Sequence, residues 1–483
     1  MTKKELNCQN SIENESLNSD SPLPMEPKNK KDFFHIKQRG STYGREILAG
    51  IIVFLSVIYI LPVNSSILSD AGMDSTGVFA ATAIASALCT MIMGLVAGYP
   101  IVLSSAMGMN AFFAYTICCG LGYSWQEALA LLFIAGILYL IMTLTPLRKM
   151  IMNAIPKDIK QIILVGLGFF ICFVGLRNSG IISLTTNSTG IASIGLGDLS
   201  NPSILLALLG IILVFVFSSL KLKFFKRFSI LLSMLTVALL GLILGWCGVE
   251  GLPKFDFNQD WIAITSIDKV FGQLFSGSNF INVLKNPKSY ALIFVLIFVH
   301  LFDTTATLLA VGKDAGFINE KGELDGGEKA MLADAIGSVI CAPIGTSTVT
   351  PFSESSIGIE VGGRTGLTSI VAAFLFIISL FIYPLLSIFS FSCVTAMALV
   401  YVGSSIVIHN LNDINWKDPA IGVCAFITVI MITLTYSLSS GIGFGIIIYV
   451  VIMLASSRAK EINPILYILA LLFVINFTIN ALI

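Results

Sequence analysis

Apolar runs of about 17–25 residues recur almost from one end of this chain to the other, and that recurrence limits its fold more than any other feature. A helix of about 20 residues, rising 1.5 Å per residue, crosses a hydrocarbon core. Lipid offers nothing to a backbone N–H or C=O, so only helices and closed barrels can span it. A barrel would show short alternating strands, whereas these runs are long and continuous. The predicted fold class is therefore all-α and polytopic. The 483 residues are 56% hydrophobic and only 12% charged, against about 25% charged in ordinary soluble domains. The formal net charge is zero, which gives no footprint for nucleic acid.

Hydropathy places spans at roughly 46–68, 78–98, 101–118, 126–146, 159–176, 203–220 and 228–247. After the polar VEGLPKFDFNQDW and a mixed interfacial stretch, further segments fall at 289–311, 329–343, 345–361, 366–390, 392–409, 419–436, 439–455 and 464–482. That makes fourteen or fifteen, with incomplete crossing expected for one of the last three. Residues 1–44 are polar and predicted to form a disordered cytoplasmic tail whose basic, aromatic end lies at the inner membrane face. The rest divides into a first seven-span repeat (45–248), a connecting segment (249–288) and a second repeat (289–483). Lys and Arg concentrate in LRKMIMNAIPKDIK and KLKFFKR, which puts the N-terminus, GKDAGFINEKGELDGGEK and SSRAKE in the cytoplasm of a multi-pass cell-membrane protein.

Seven spans per half means that the halves insert with opposite orientation, the inverted-repeat plan of many secondary transporters. The third segment of each half is rich in small and hydroxyl residues: YPIVLSSAMGMNAFFAY and GTSTVTPFSESSIGIE. Interrupted segments at matching positions point to a binding site at the repeat interface. In the first, Ser104, Ser105, Ala106 and Gly108 permit an extended lead into a half-helix that begins near Asn110. In the second, β-branched Thr346, Thr348, Val349 and Thr350 favour extension, Pro351 suits a first helical turn, and Ser353 and Glu354 follow it. Two such half-helices aim free N–H groups at the midplane. A flat polar ligand would fit between them, with Glu354 accepting its N–H bonds or carrying a proton. The alternative is a carboxylate satisfied by helix-end amides.

His300, Asp303, Thr304 and Thr307 share one face of the eighth span. A His one turn from an Asp can hold or pass a proton, or the two can simply pair. Asn64 is read as lining the cavity or packing, with neither favoured. Asp334 is read as a helix-start or interhelical partner, Arg177 as interfacial, and Glu360 and Arg364 as partners of each other. The nine Cys sit mostly inside apolar runs with no disulfide or zinc spacing. GLGD at Gly195–Asp198 matches a motif of intramembrane aspartyl proteases but lies in a polar loop. No HExxH, Walker A or GxSxG is present, so an enzyme reading has no nucleophile and base to stand on. An ion channel would usually need repeated subunits.

Several stretches together resemble the AzgA-like purine permeases, a branch of the nucleobase:cation symporters in the xanthine/uracil permease superfamily. They are FFHIKQRGSTYGREILAGIIVFLSVIYILPVNSSILSDAGM, MGMNAFFAY, IPKDIKQIILVGLGFFICFVGLRNSGII and ADAIGSVICAPIGTSTVTPFSESSIGIEVGGRTGLTSIV. The resemblance runs from Phe33 onward and implies fourteen spans in two inverted repeats of seven. Spans 1–4 and 8–11 (46–147 and 289–390) would form a core domain. Spans 5–7 and 12–14 (158–248 and 392–483) would form a gate domain, with two short strands leading into half-helices in spans 3 and 10. It implies proton-coupled import of adenine, guanine or hypoxanthine by alternating access. The alternative in the same fold is a transporter of uracil, xanthine or another anion. By the match, Asn110 is the third-span Asn, Glu354 the carboxylate that binds the base, and Asp303 the second Asp of a DLFDT-type motif. The first Asp of that motif is His300 here. The implied substrate-binding residues are Asn110, His300, Asp303, Thr304, Ser353 and Glu354, with Glu354, Asp303 and His300 coupling protons. No cofactor or metal is expected. The implied partners are a purine nucleobase and the lipid bilayer, with a homodimer left open and no nucleic acid.

Overall fold

Four membrane helices begin with the same local device. Asn201–Pro202, Asn286–Pro287, Asp418–Pro419 and Asn463–Pro464 each place an acceptor side chain before a proline, and each acceptor takes the backbone N–H two residues on. Proline is already shaped for the first helical turn, and the cap satisfies one of the amides that the helix leaves free. Span 4 (Trp125–Leu144) starts instead with a reciprocal capping box between Ser124 and Glu127. These helices belong to a computed structural model that describes residues 33–186, 192–249, 252, 261–318 and 324–482. Most of the predicted tail, residues 1–32, lies outside the described residues. Its end is folded rather than disordered: Ile36 is buried, and Arg39 donates to the carbonyls of Gly98 and Arg364 at 2.7 and 3.0 Å.

The chain is an all-α, multi-pass membrane protein. Among the described residues nine helices are long and apolar enough to cross a bilayer, or ten if one bent pair is a single span. The remaining segments are short or interrupted. Span 3 is a strand, β1 (Leu103–Ser105), followed by helix from Met107 that widens into π turns over Phe112–Gly120. Span 10 is another strand (Val349–Pro351) followed by helix Ser355–Val361. The predicted span 366–390 bends by 95° between Gly366–Ser379 and Tyr383–Ser390. At the C-terminal end three helices form, Pro419–Thr435, Leu438–Ala455 and Pro464–Leu482, so the second half carries one more than the first. The loop after span 5 holds a hairpin of β2 (Ile182–Thr186) and β3 (Ala192–Leu196), which makes Val349–Pro351 strand β4. Gly195 of the GLGD motif lies in β3 and Asp198 in the turn beyond it, outside any span.

The packing repeats with the halves exchanged. In the core, span 2 (Ser75–Ala97) packs on span 11 (Gly366–Ser379), and span 9 (Gly327–Ile344) on span 4. In the gate, span 6 (Pro202–Ser219) packs on span 12 (Ser392–Leu411), and span 13 (Pro419–Thr435) on span 5 (Lys157–Asn178). Each contact is the symmetry mate of the other, as two inverted repeats require. Where spans 5 and 12 cross, Gly168 meets Gly403. A Cβ on either would lie 2.6 or 2.5 Å from the other's carbonyl oxygen, so only glycine permits this approach.

Span 1 (Tyr43–Ser69) ties the core together at its start. Glu46 is fully buried, and its carboxylate accepts from the N–H groups of Arg364 and Thr365 and from the Thr368 hydroxyl, capping span 11. The basic loop ends gather on one face, with ion pairs Lys157–Asp413, Arg227–Glu360 and Arg458–Asp418.

Candidate functional site

β1 and β4 pair antiparallel, Leu103 opposite Pro351 and Ser105 opposite Val349, so the two interrupted spans meet head to head. The hydroxyl residues just before β4 explain how extended backbone survives at this depth. Thr346 accepts from Asn64 Nδ2 at 3.0 Å and lies 3.1 Å from the Thr82 hydroxyl. Ser347 lies 2.8 Å from the Ser105 hydroxyl and donates to Asn110 Oδ1. Thr348 lies 3.3 Å from His300 Nδ1, and its carbonyl accepts from Ala106 N. Three consecutive hydroxyls thus anchor the strand to spans 1 and 2, to span 3 and to span 8, replacing the partners that lipid cannot supply. Asn64 is consumed in this lattice and does not line the cavity.

A cavity of about 280 Å³ opens on the far side of the crossed strands, between core and gate. Glu354, Ser353, Thr350, Asp303 and Thr307 line its core wall, together with Tyr59 and Ser56 of span 1. Leu167 and Ile171 of span 5 and Tyr401, Val402 and Ser405 of span 12 form its gate wall. Gly108 brings the two walls together, since a Cβ there would sit 2.6 Å from a Leu167 methyl carbon. Glu354 is held by two donors: the Tyr59 phenol at 2.6 Å on Oε1 and the Ser353 hydroxyl at 3.2 Å on Oε2. The mouth carries Lys226 and Arg227 from the short helix Lys223–Arg227. The site is therefore acidic inside, basic at its rim and apolar along Leu167, Ile171 and Phe352. Such a slot suits a flat ring with N–H donors on its edge.

Three of the six candidate residues, Asp303, Ser353 and Glu354, come together on this cavity. The other three lie behind the strands. Asn110 is buried against Ser105 and Ser347. His300 and Thr304 turn to Asp334 of span 9: His300 Nε2 and Thr304 Oγ1 both lie 2.9 Å from Asp334 Oδ2, and Tyr139 donates to the same oxygen at 3.1 Å. The hydrogen-bonded partner of His300 is thus Asp334 and not Asp303, because the sidestep from position 300 to 303 carries the second side chain round to the cavity wall. Asp334 is an interhelical partner, one of the two roles its place in the sequence allows. Glu360 and Arg364 do not pair with each other. Glu360 is held by Arg227 at 2.8 Å, while Arg364 donates to the carbonyls of Ile359 and Gly363.

On the face opposite the basic loops, core and gate are bridged. Asn178 at the end of span 5 donates to Asp70 and to Tyr115 of span 3, and Thr116 donates to the carbonyl of Tyr436. The Arg177 guanidinium lies over the Tyr436 ring at 4.9 Å. Arg177 thus sits at the contact between span 5 and Tyr436. Tyr59, Tyr401 and Arg227 are site residues that the sequence did not single out. The nearest signal was Tyr59 in the apolar SVIYILP, three residues before Pro62. Among the described residues no group of three or more His, Cys, Asp or Glu could hold a metal ion.

A family model for permeases, Xan_ur_permease, matches residues 44–472. The guanine/hypoxanthine permease PbuG of Bacillus subtilis is 37% identical over 92% of this chain and 99% of its own length. The adenine permease AdeP of Escherichia coli is 35% identical over 92% of this chain and 94% of its own. The transmembrane domain of the cyanobacterial bicarbonate transporter BicA superposes with a TM-score of 0.58 at 14% identity, covering 82% of this chain and 97% of that one, and so shares the fold. This chain belongs to the xanthine/uracil permease family.

Proposed function

We propose that this permease imports purine nucleobases together with protons by alternating access of core against gate. The observation that carries the reading is the cavity between those domains, where Glu354 and Asp303 face a slot with apolar walls. The two relatives named for guanine/hypoxanthine and adenine support a purine as the ligand. The base would lie between the half-helices of spans 3 and 10, its N–H edge on Glu354. A carboxylate accepts such hydrogen bonds at charge-assisted strength. Asp303, on the same cavity, would carry the proton while Glu354 stays ionised to hold the base, with His300 acting from behind the strands through Asp334 and Thr348. The closed contacts at Asp70, Tyr115 and Asn178, with a mouth at Lys226 and Arg227, suit an inward-facing state of a cell-membrane protein with a cytoplasmic N-terminus. The acidic interior speaks against an anion as cargo. Uptake of labelled guanine, hypoxanthine, adenine and uracil, in cells lacking their own nucleobase permeases, tests this. Saturable purine uptake that collapses with a protonophore and with Glu354→Gln is expected. Uptake of uracil alone, or purine uptake indifferent to Glu354→Gln, would overturn it.

A further inference from the structure

Tyr59 stands at a break in span 1. Helix Tyr43–Val57 stops, and helix Ile60–Ser69 starts, because Pro62 has no N–H to give to the carbonyl of Ile58. That carbonyl is taken instead by Leu61 N in a tighter turn. The break turns the Tyr59 ring into the core with 2% of its surface exposed, and leaves its hydroxyl on the cavity wall. There the phenol reaches Glu354 Oε1 at 2.6 Å, while Ser353 of the same segment holds Oε2. A carboxylate has about four lone-pair sites. Two side-chain donors thus hold a carboxylate that itself lines the slot.

We propose that Tyr59 is the positioning residue of the binding carboxylate: its phenol fixes the orientation of Glu354, favours the ionised form, and so sets the pH below which a ligand's N–H edge is no longer bound. The inference rests on the reading of Glu354 as the ligand's acceptor. The physical ground is direct. A hydrogen bond donated to a carboxylate stabilises the charged form over the neutral one. A ring locked by packing gives its donor one direction, whereas the Ser353 hydroxyl can swing. The other titratable groups on the cavity are Asp303 of span 8, Tyr401 of span 12, and Lys226 and Arg227 at the mouth. They are common to every variant below.

The test is equilibrium binding of labelled guanine to the full-length protein in lipid nanodiscs from pH 5 to 8. Wild type, Tyr59→Phe, Glu354→Gln and the double variant are compared, with thermal midpoints recorded for each. Tyr59→Phe removes one oxygen and is expected to weaken binding about tenfold, the scale of one hydrogen bond to a charged group. Its acid midpoint moves to higher pH. In the Glu354→Gln background the same change has no further effect, which a merely structural role would not produce. Difluorotyrosine at position 59 keeps the shape and strengthens the donor, so its midpoint moves to lower pH. The inference falls if Tyr59→Phe binds guanine with the wild-type affinity and pH profile while Glu354→Gln abolishes binding. It falls equally if the difluorotyrosine protein shifts the wrong way. If wild type and Glu354→Gln bind alike, the reading of Glu354 falls and takes this inference with it.

Discussion

Arg227 and Glu360 meet at 2.8 Å across the mouth of the cavity, one on the short helix that precedes span 7, the other at the end of the half-helix that carries Glu354. The pair joins gate to core. Glu360 is largely exposed, so the bond is worth less than about 1 kcal/mol to stability. Its importance is positional. Arg227→Cys paired with Glu360→Cys, in a background without the exposed Cys119 and Cys247, should allow a short bifunctional thiol reagent to stop uptake, and a reductant to restore it. Uptake that survives complete cross-linking would mean that core and gate need not move apart here.

The crossing of Gly168 and Gly403 holds the gate together. Membrane helices approach this closely only through small residues. Gly168→Val would force spans 5 and 12 apart, which is overpacking on the scale of about 1–3 kcal/mol or more. A lower thermal midpoint and poor recovery from the membrane are expected. Gly422→Ala, where a new Cβ would meet only the Trp416 carbonyl oxygen at 3.8 Å, should behave as wild type.

His300 and Asp303 are one turn apart but face different surroundings. Asp303→Asn should weaken purine uptake by about tenfold, the value of a hydrogen bond to a charged group. His300→Gln should change the apparent affinity far less, because Asp334, Tyr139 and Thr348 shield it from the cavity. Asp334→Ala is expected to act on folding, since removing one partner of a buried pair costs about 3–5 kcal/mol. Uptake kinetics and thermal midpoints, measured on the same preparations, separate the two outcomes.

Much of this was legible in the sequence. Long apolar runs gave the spans, because a lipid solvent leaves the backbone no alternative. The small and hydroxyl residues at Ser104–Gly108 and Thr346–Thr350 marked both interrupted spans, and Glu354 stood out as a charge inside one. Partnerships were far less legible. Periodicity put His300 and Asp303 on one face, yet only the packing of span 9 sends His300 to Asp334. Proximity along the chain suggested Glu360 with Arg364, while the real partner, Arg227, lies 133 residues away. Tyr59 lies in an apolar run and is almost wholly buried, so nothing in the hydropathy marks the phenol that reaches Glu354. The β2–β3 hairpin left no mark in the hydropathy because its alternation lies inside a polar loop.

Arg458 closes the hairpin of Pro419–Thr435 and Leu438–Ala455 at the basic face, bonding Asp418 at 2.7 Å and Glu461 at 2.7 Å. Its guanidinium holds both carboxyls below their ordinary range. A depressed carboxylate contributes stability above its unfolded pKa and loses it as pH falls through the folded value. The thermal midpoint of Arg458→Ala should therefore lie below that of wild type at pH 7, and the gap should close as pH drops through and below the usual carboxylate range. A gap that stays constant with pH would contradict this assignment.

The most direct test of a purine site at the crossed strands is a structure of the protein determined with guanine. The base is expected in the cavity between Gly108 and Glu354, its N–H edge within hydrogen-bond distance of the Glu354 carboxylate and its ring against Leu167. Guanine density elsewhere, with that cavity empty at saturating ligand, would contradict it.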